Sequence, residues 1–130
     1  MEINYAAAVV AALSSFILGG IWYSPAVFLK PWNKAMGRDE NSSQGHPARV
    51  FGLSFVFALL AALAFAHLLG PAPDLAIAMQ SGLIVGVLFV SACFGINYQF
   101  ANRPMNALFI DGGYHTLQFV LYGLVLGLWH

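Results

Sequence analysis

Charged side chains are scarce in this 130-residue chain, which holds five Lys and Arg, five Asp and Glu, and no net charge. They make up 8% of its residues, whereas a soluble domain carries roughly 25%. Because a soluble fold of this composition would expose large apolar patches, the sequence predicts an integral membrane protein. Five basic residues are also too few to form the phosphate-binding face of a nucleic-acid-binding protein, so no nucleic-acid partner is expected.

Cysteine is nearly absent as well. The single cysteine, Cys93, excludes an internal disulfide and a cysteine-based metal site, and its apolar surroundings predict an inert thiol. The four histidines show no spacing typical of metal ligands, and the sequence contains no hydrolase, P-loop or dinucleotide-binding motif. The sequence therefore predicts no metal, no cofactor and no enzymatic activity.

Long apolar runs fill most of the chain instead. They cover about residues 3–24, 50–69, 75–100 and 105–129, and each holds the roughly 20 residues needed to cross about 30 Å of hydrocarbon. None shows the strict alternation of a β-barrel strand. The predicted fold class is an all-α membrane protein in which residues 1–130 form one transmembrane domain. Four transmembrane helices would make a bundle of two helical hairpins.

The first apolar run is expected to stay in the mature protein as a span. No Lys or Arg precedes it, and it ends in Trp22 and Tyr23 rather than in the small residues of a signal-peptide cleavage site. Basic residues then set the orientation. Four of the five lie in the polar loop 29–49, and Arg103 lies between the third and fourth runs. The positive-inside rule makes both loops cytoplasmic and places both termini outside.

A short segment, "AVFLKPWNKAMG", follows the first run. Phe28, Leu29, Trp32 and Met36 would share one face of a helix, which predicts a short interfacial helix on the inner leaflet. An irregular loop anchored by Trp32 is the alternative, because Pro31 interrupts the segment.

Small residues recur at four-residue spacing on every predicted span, and such stripes let helices approach closely. They are Ala7, Ala11, Ser15 and Gly19; Ala58, Ala62 and Ala66; Gly82 and Gly86; and Gly123 and Gly127. One interpretation is packing inside a four-helix bundle, and the other assigns at least one stripe to a second copy. Because four stripes exceed what a minimal bundle requires, the sequence predicts a homo-oligomer in the lipid bilayer.

The fourth run contains "FIDGGYHTLQF", a cluster of polar residues at membrane depth. Asp111 lies seven residues past Pro104, about 10 Å into the membrane, where a carboxylate costs roughly 3 kcal/mol near the centre of a span. His115 lies one turn further along the same face. The other expected members of this intramembrane polar cluster are Tyr114, Gln118, Asn97, Tyr98, Gln99, Arg103, Trp22 and Tyr23.

Two interpretations of the cluster remain open. It is a structural or small-ligand site in which Arg103 or His115 neutralises Asp111, or Asp111 and His115 form a protonatable pair. The second interpretation predicts a minimal proton-linked transporter or channel.

Several motifs resemble those of a known family. "LGGIWYSP", "FANRP" and "IDGGYH" followed by "YGLVLGLW" resemble the bacterial membrane proteins grouped as domain of unknown function family 1761. The resemblance extends from Ala11 to Trp129. It implies a small integral membrane protein of four helices in a bacterial inner membrane, and it implies no established activity.

Overall fold

The computed structural model describes residues 3–39 and 45–130, so residues 40–44 of the expected polar loop lie outside the described part. The described residues form helices and no strand, which confirms the all-α class. The helices are α1 (Tyr5–Trp22), α2 (Leu29–Ala35), α3 (Pro47–Leu69), α4 (Leu75–Phe100) and α5 (Met105–Leu128). Three of them, α1, α3 and α4, are long and apolar enough to cross a membrane.

Side-chain caps and special residues explain where these helices begin and end. The carboxylate of Asp74 accepts a hydrogen bond from the Ile77 N–H at 3.2 Å, and thereby caps the start of α4. Asn4 caps α1 in the same way. α3 starts with Pro47 and is followed by Gly70, whose φ of 87° is a conformation that suits glycine and ends the helix. The short helix expected after the first span is present as α2.

The last helix, α5, is the centre of the fold. It packs against α1, α2, α3 and α4, and α1 also packs against α3. The backbone oxygen of Trp129 accepts a hydrogen bond from the Asn4 side chain at 3.3 Å, so the two termini lie at one end. At the other end, Nη1 of Arg103 donates to the Met36 oxygen at 2.9 Å. The loop after α4 and the short helix α2 therefore lie together.

Glycines bring α4 and α5 into close contact. A Cβ added at Gly82 would overlap the backbone of Phe119, and one added at Gly123 would overlap the backbone of Ala78. The small-residue stripes of these two helices thus face each other within one chain, as in the packing interpretation. The stripes of α4 and α5 are therefore occupied within the chain and do not require a second copy.

The middle of α4 is wound as a π-helix over Val85–Ser91. Gly86 lies against the backbone of Thr116 on α5, and Oγ of Ser91 donates to the Gly112 oxygen at 3.0 Å. Both ends of the π-helical segment therefore contact α5. This is a local irregularity of a kind that is frequent at functional sites.

We expect Gly123→Ala to lower the free energy of unfolding by about 1–3 kcal/mol, because the new methyl group overlaps the backbone of α4. Gly20→Ala is the matched control, since a Cβ there meets nothing within 4 Å and alanine favours the helix. Unfolding in detergent measures both. If Gly123→Ala changes the particle mass and leaves stability intact, the glycine serves a neighbouring copy and the assignment to α4 is wrong.

Candidate functional site

The carboxylate of Asp111 lies on α5 and is 7% exposed. Its Oδ1 accepts hydrogen bonds from the Tyr23 hydroxyl at 2.5 Å and from Nε1 of Trp32 at 3.0 Å. Its Oδ2 accepts a hydrogen bond from the Tyr98 hydroxyl. Tyr23 follows α1, Trp32 is in α2 and Tyr98 is in α4, so one carboxylate joins four helices. We call these four residues the Asp111 cluster.

A sharp turn after α1 brings two of the donors to the carboxylate. The N–H of Tyr23 bonds to the Gly19 oxygen and ends α1, and the Phe28 N–H returns to the Trp22 oxygen at 3.1 Å. The chain therefore doubles back, and α2 packs against α5. Nε1 of Trp22 donates to the Ile110 oxygen at 2.9 Å, which fixes the end of α1 beside the cluster.

All three donors to Asp111 are neutral groups. An ionised carboxylate accepts hydrogen bonds only, and it has room for all three, whereas a protonated carboxyl would direct its own O–H at one of them. The geometry therefore fits the carboxylate form, held by charge-assisted hydrogen bonds. This arrangement differs from the expected neutralisation by a cation. Arg103 instead donates to the Met36 oxygen, and Nδ1 of His115 lies 2.6 Å from Oε1 of Gln118.

A second group of hydrogen bonds runs along α5, and we call it the Gln118 chain. His115 contacts Gln118, whose Nε2 donates to the Tyr122 hydroxyl at 2.7 Å. The Tyr122 hydroxyl donates to the Ala58 oxygen on α3 at 3.0 Å. One turn before Gln118 on α5, the Tyr114 hydroxyl donates to the Ser15 oxygen on α1 at 3.0 Å. These polar groups therefore tie α5 to the two neighbouring helices.

Three expected members of the polar cluster are exposed and lie outside it, and one of them is Arg103, which bonds to the Met36 oxygen. The Asn97 side chain is exposed and lines a shallow groove on α4 with Cys93. The Gln99 side chain is also exposed, and its Nε2 lies 3.7 Å from the Met105 sulfur. Within residues 3–39 and 45–130, no three His, Cys, Asp or Glu side chains come together as a metal site would require.

Sequence reasoning missed the role of Trp32, which it placed on the apolar face of a surface helix. One signal was available. An indole N–H in an apolar region needs an acceptor, and the carboxylate of Asp111 can accept more than one hydrogen bond. Tyr98 was named among several candidates, and nothing in the sequence separates it from its neighbours Asn97 and Gln99.

Replacing the carboxylate by an amide should destabilise the fold. Asp111→Asn keeps the shape of the side chain, but its NH₂ group faces at least one of the three donors. We expect a loss of about 2 kcal/mol in the free energy of unfolding, measured in detergent, because charge-assisted hydrogen bonds are lost. Asp74→Asn is the matched control at a helix cap, where Asn serves as well as Asp. An equal effect of the two changes would contradict this account of Asp111.

Comparison with known proteins agrees with the motifs. A family model described as a protein of unknown function (DUF1761) matches residues 6–127, a range that includes the whole Asp111 cluster and the Gln118 chain. No curated protein and no solved structure matches the chain. Because the family model covers nearly the entire length, the chain belongs to the DUF1761 family of proteins of unknown function.

Proposed function

We propose that the chain is a polytopic protein of a bacterial inner membrane in which α1, α3, α4 and α5 form a four-span bundle. The hydropathy of α1, α3 and α4 supports three of the spans. The fourth, α5, is 24 residues long, and its buried polar residues, Asp111 and Gln118, face protein because the helix packs against the other three. A helix face buried against protein tolerates a carboxylate that a lipid-facing position would not. The proposal includes no enzymatic reaction and no cofactor.

The proposed orientation has both termini outside and α2 on the cytoplasmic side. Lys30 and Lys34 are exposed on α2, and Arg103 bonds to the end of the same helix. Arg49 lies in the first turn of α3, the helix that follows α2 in the chain. This grouping supports the positive-inside assignment.

Single cysteines introduced in a Cys93→Ala background test this orientation. We expect Lys34→Cys to react with a membrane-impermeant thiol reagent only from the cytoplasmic side, and Ala72→Cys only from outside. The opposite pattern would invert the topology.

We propose that the Asp111 cluster is a structural anchor that holds α2 against the spans at the membrane surface. The observation that carries this proposal is the hydrogen bond from Nε1 of Trp32 to Oδ1 of Asp111. It joins an exposed, Lys-bearing helix to a buried carboxylate. The bond between Arg103 and the Met36 oxygen attaches the C-terminal end of α2. One attachment at the middle and one at the end of a seven-residue helix restrict its position.

The alternative, a proton-linked transporter or channel, would use Asp111 and His115. The two side chains belong to separate groups of hydrogen bonds, and among the described residues no hydrogen bond joins them. Beyond His115, the Gln118 chain passes through an amide, which is not a proton relay, and it ends on the Ala58 carbonyl. The geometry therefore favours the anchor over the carrier.

Self-association stays a prediction, but the small-residue stripes no longer support it. The stripes on α4 and α5 are used within the chain, and Ala7, Ala11 and Ser15 are fully buried on α1. A second copy would instead contact larger apolar side chains such as Phe57, which is 67% exposed on α3. Such a contact would rely on van der Waals packing between large side chains rather than on close approach of helix backbones.

Removing the Trp32 donor distinguishes the structural-anchor proposal from the proton-carrier alternative. We expect Trp32→Phe to release α2, because the indole N–H is lost while Asp111 keeps its carboxylate. An Ala35→Cys reporter on the buried face of α2 should then react with a thiol reagent about tenfold faster. Cys93→Ala again supplies the background. Trp129→Phe at the opposite end is the matched control and should leave the rate unchanged.

Flux measurements in liposomes complete this experiment. The anchor predicts no pH-dependent proton flux from the protein with or without Asp111→Asn. Flux that depends on pH and disappears in Asp111→Asn, with an unchanged Ala35→Cys reaction rate, would establish the carrier instead.

A further inference from the structure

The short helix α2 is held beside the start of α5 by hydrogen bonds near both of its ends. Before its first turn, the Phe28 N–H bonds to the Trp22 oxygen, and Nε1 of Trp22 bonds to the Ile110 oxygen on α5. After its last turn, the Met36 oxygen accepts a hydrogen bond from Arg103. Ile110 and Arg103 are seven residues apart, roughly 10 Å along a helix, and the seven residues of α2 have about the same length. α2 therefore lies alongside the first turns of α5, against which it packs.

The two lysines of α2 are on the side of the helix that faces away from the bundle. Each is two residues from Trp32, so at about 100° per residue each lies about 160° around the helix axis from the side chain that bonds to Asp111. Lys30 and Lys34 are accordingly exposed, whereas Ala35 is buried. Because one helical turn separates them, the two lysines are neighbours on this outer face.

The proposed topology places this outer face in the headgroup layer of the inner leaflet. Arg103 precedes the α5 span and Asp111 lies about 10 Å into it, so α2 occupies the boundary between hydrocarbon and water. A lysine at such a boundary covers apolar surface with its stem and extends its ammonium group to the level of the headgroups. Headgroup phosphates are therefore the anions that both lysines meet.

The charge of α2 favours an anionic headgroup. Its sequence, LKPWNKA, contains two lysines and no acidic residue. Asp111 lies on the opposite side of Trp32 and already accepts three hydrogen bonds from neutral donors. A zwitterionic headgroup carries its own cation, which the lysines repel, whereas an anionic headgroup is attracted by both of them.

We propose that Lys30 and Lys34 form a binding surface for the headgroup of an anionic phospholipid of the inner leaflet. The two ammonium groups donate to oxygens of the phosphate. The inference rests on the proposed function of the Asp111 cluster as an anchor, since the anchor holds α2 where both lysines reach one headgroup. A helix that is already held in place loses little conformational entropy when the lipid binds. Binding involves no covalent step.

Titration of the full chain in maltoside micelles tests this surface, with the backbone amide NMR resonances of α2 as the readout. The probes are phosphatidylglycerol, which is anionic, phosphatidylcholine, which has the same phosphate and no net charge, and inorganic phosphate. We expect saturable shifts with phosphatidylglycerol and binding at least about tenfold weaker with the other two. Equal binding of the two lipids, or no shift with phosphatidylglycerol, would overturn the proposal. Equal binding of inorganic phosphate would overturn the assignment to a lipid.

Substitutions that remove one charge locate the surface. Lys34→Gln should weaken phosphatidylglycerol binding about fivefold, and adding Lys30→Gln should weaken it about fivefold again. Arg49→Gln is the matched control, because it removes an exposed cation of the same side from α3 and leaves α2 unchanged. We expect an effect of less than about twofold from this control, since charges outside the surface are screened. An effect as large as that of Lys34→Gln would show that net charge attracts the lipid, and the proposal would be wrong.

The Ala35→Cys reaction rate separates this surface from the anchor. Trp32→Phe changes no charge, but it should weaken phosphatidylglycerol binding about threefold because α2 is released. An unchanged reaction rate in Trp32→Phe, together with weaker binding in Lys34→Gln, would reject the anchor and leave the lipid surface in place. A faster rate in Trp32→Phe, together with unchanged binding in both lysine variants, would reject the lipid surface and leave the anchor in place.

Discussion

A buried carboxylate in apolar surroundings requires compensation, and the arrangement of this chain follows from how Asp111 obtains it. A cation on a flexible side chain would leave the neighbouring helices free. Three neutral donors on three elements do not, because each must be held at hydrogen-bond distance for the carboxylate to be satisfied. Moving α1, α2 or α4 would leave the buried charge without one of its donors. The cost of burying that charge therefore restricts the relative positions of the three helices.

The placement of α5 follows from the same constraint. It is the helix with the polar residues, and it is also the helix that contacts all of the others. Its glycines allow α4 to approach, and the Tyr114 and Tyr122 hydroxyls bond to backbone oxygens of α1 and α3. The apolar surfaces of α1, α3 and α4 remain on the outside, with large side chains such as Phe57 and Leu88 exposed. The division between a polar inner helix and apolar outer helices is the reverse of a soluble protein.

The helical class could be predicted from the sequence, because it depends only on the length and the apolar content of each run. Sequence reasoning also recognised that Asp111 needs a partner, since that requirement depends only on residue type and depth. It named two of the three donors, Tyr23 and Tyr98, among several candidates, and it missed Trp32. The i to i+4 spacing put His115 on the right face, but side-chain direction took its ring to Gln118. Trp32 reaches Asp111 only because the chain doubles back after Trp22, and such a turn depends on tertiary contacts.

The π-helical segment sets the rotational phase of α4. In a regular α-helix each residue advances about 100°, so twelve residues would leave Tyr98 about 120° away from the face of Gly86. One π turn accommodates an extra residue and removes about 100° of that offset. Gly86 can then pack on α5 while Tyr98, on the far side of the segment, points to Asp111. Because of the π turn, Gly86 and Tyr98 both face α5 although twelve residues separate them. Winding the same twelve residues as a regular α-helix would turn the tyrosine about 120° away from the carboxylate, whereas deleting one residue together with the π turn would keep it in place.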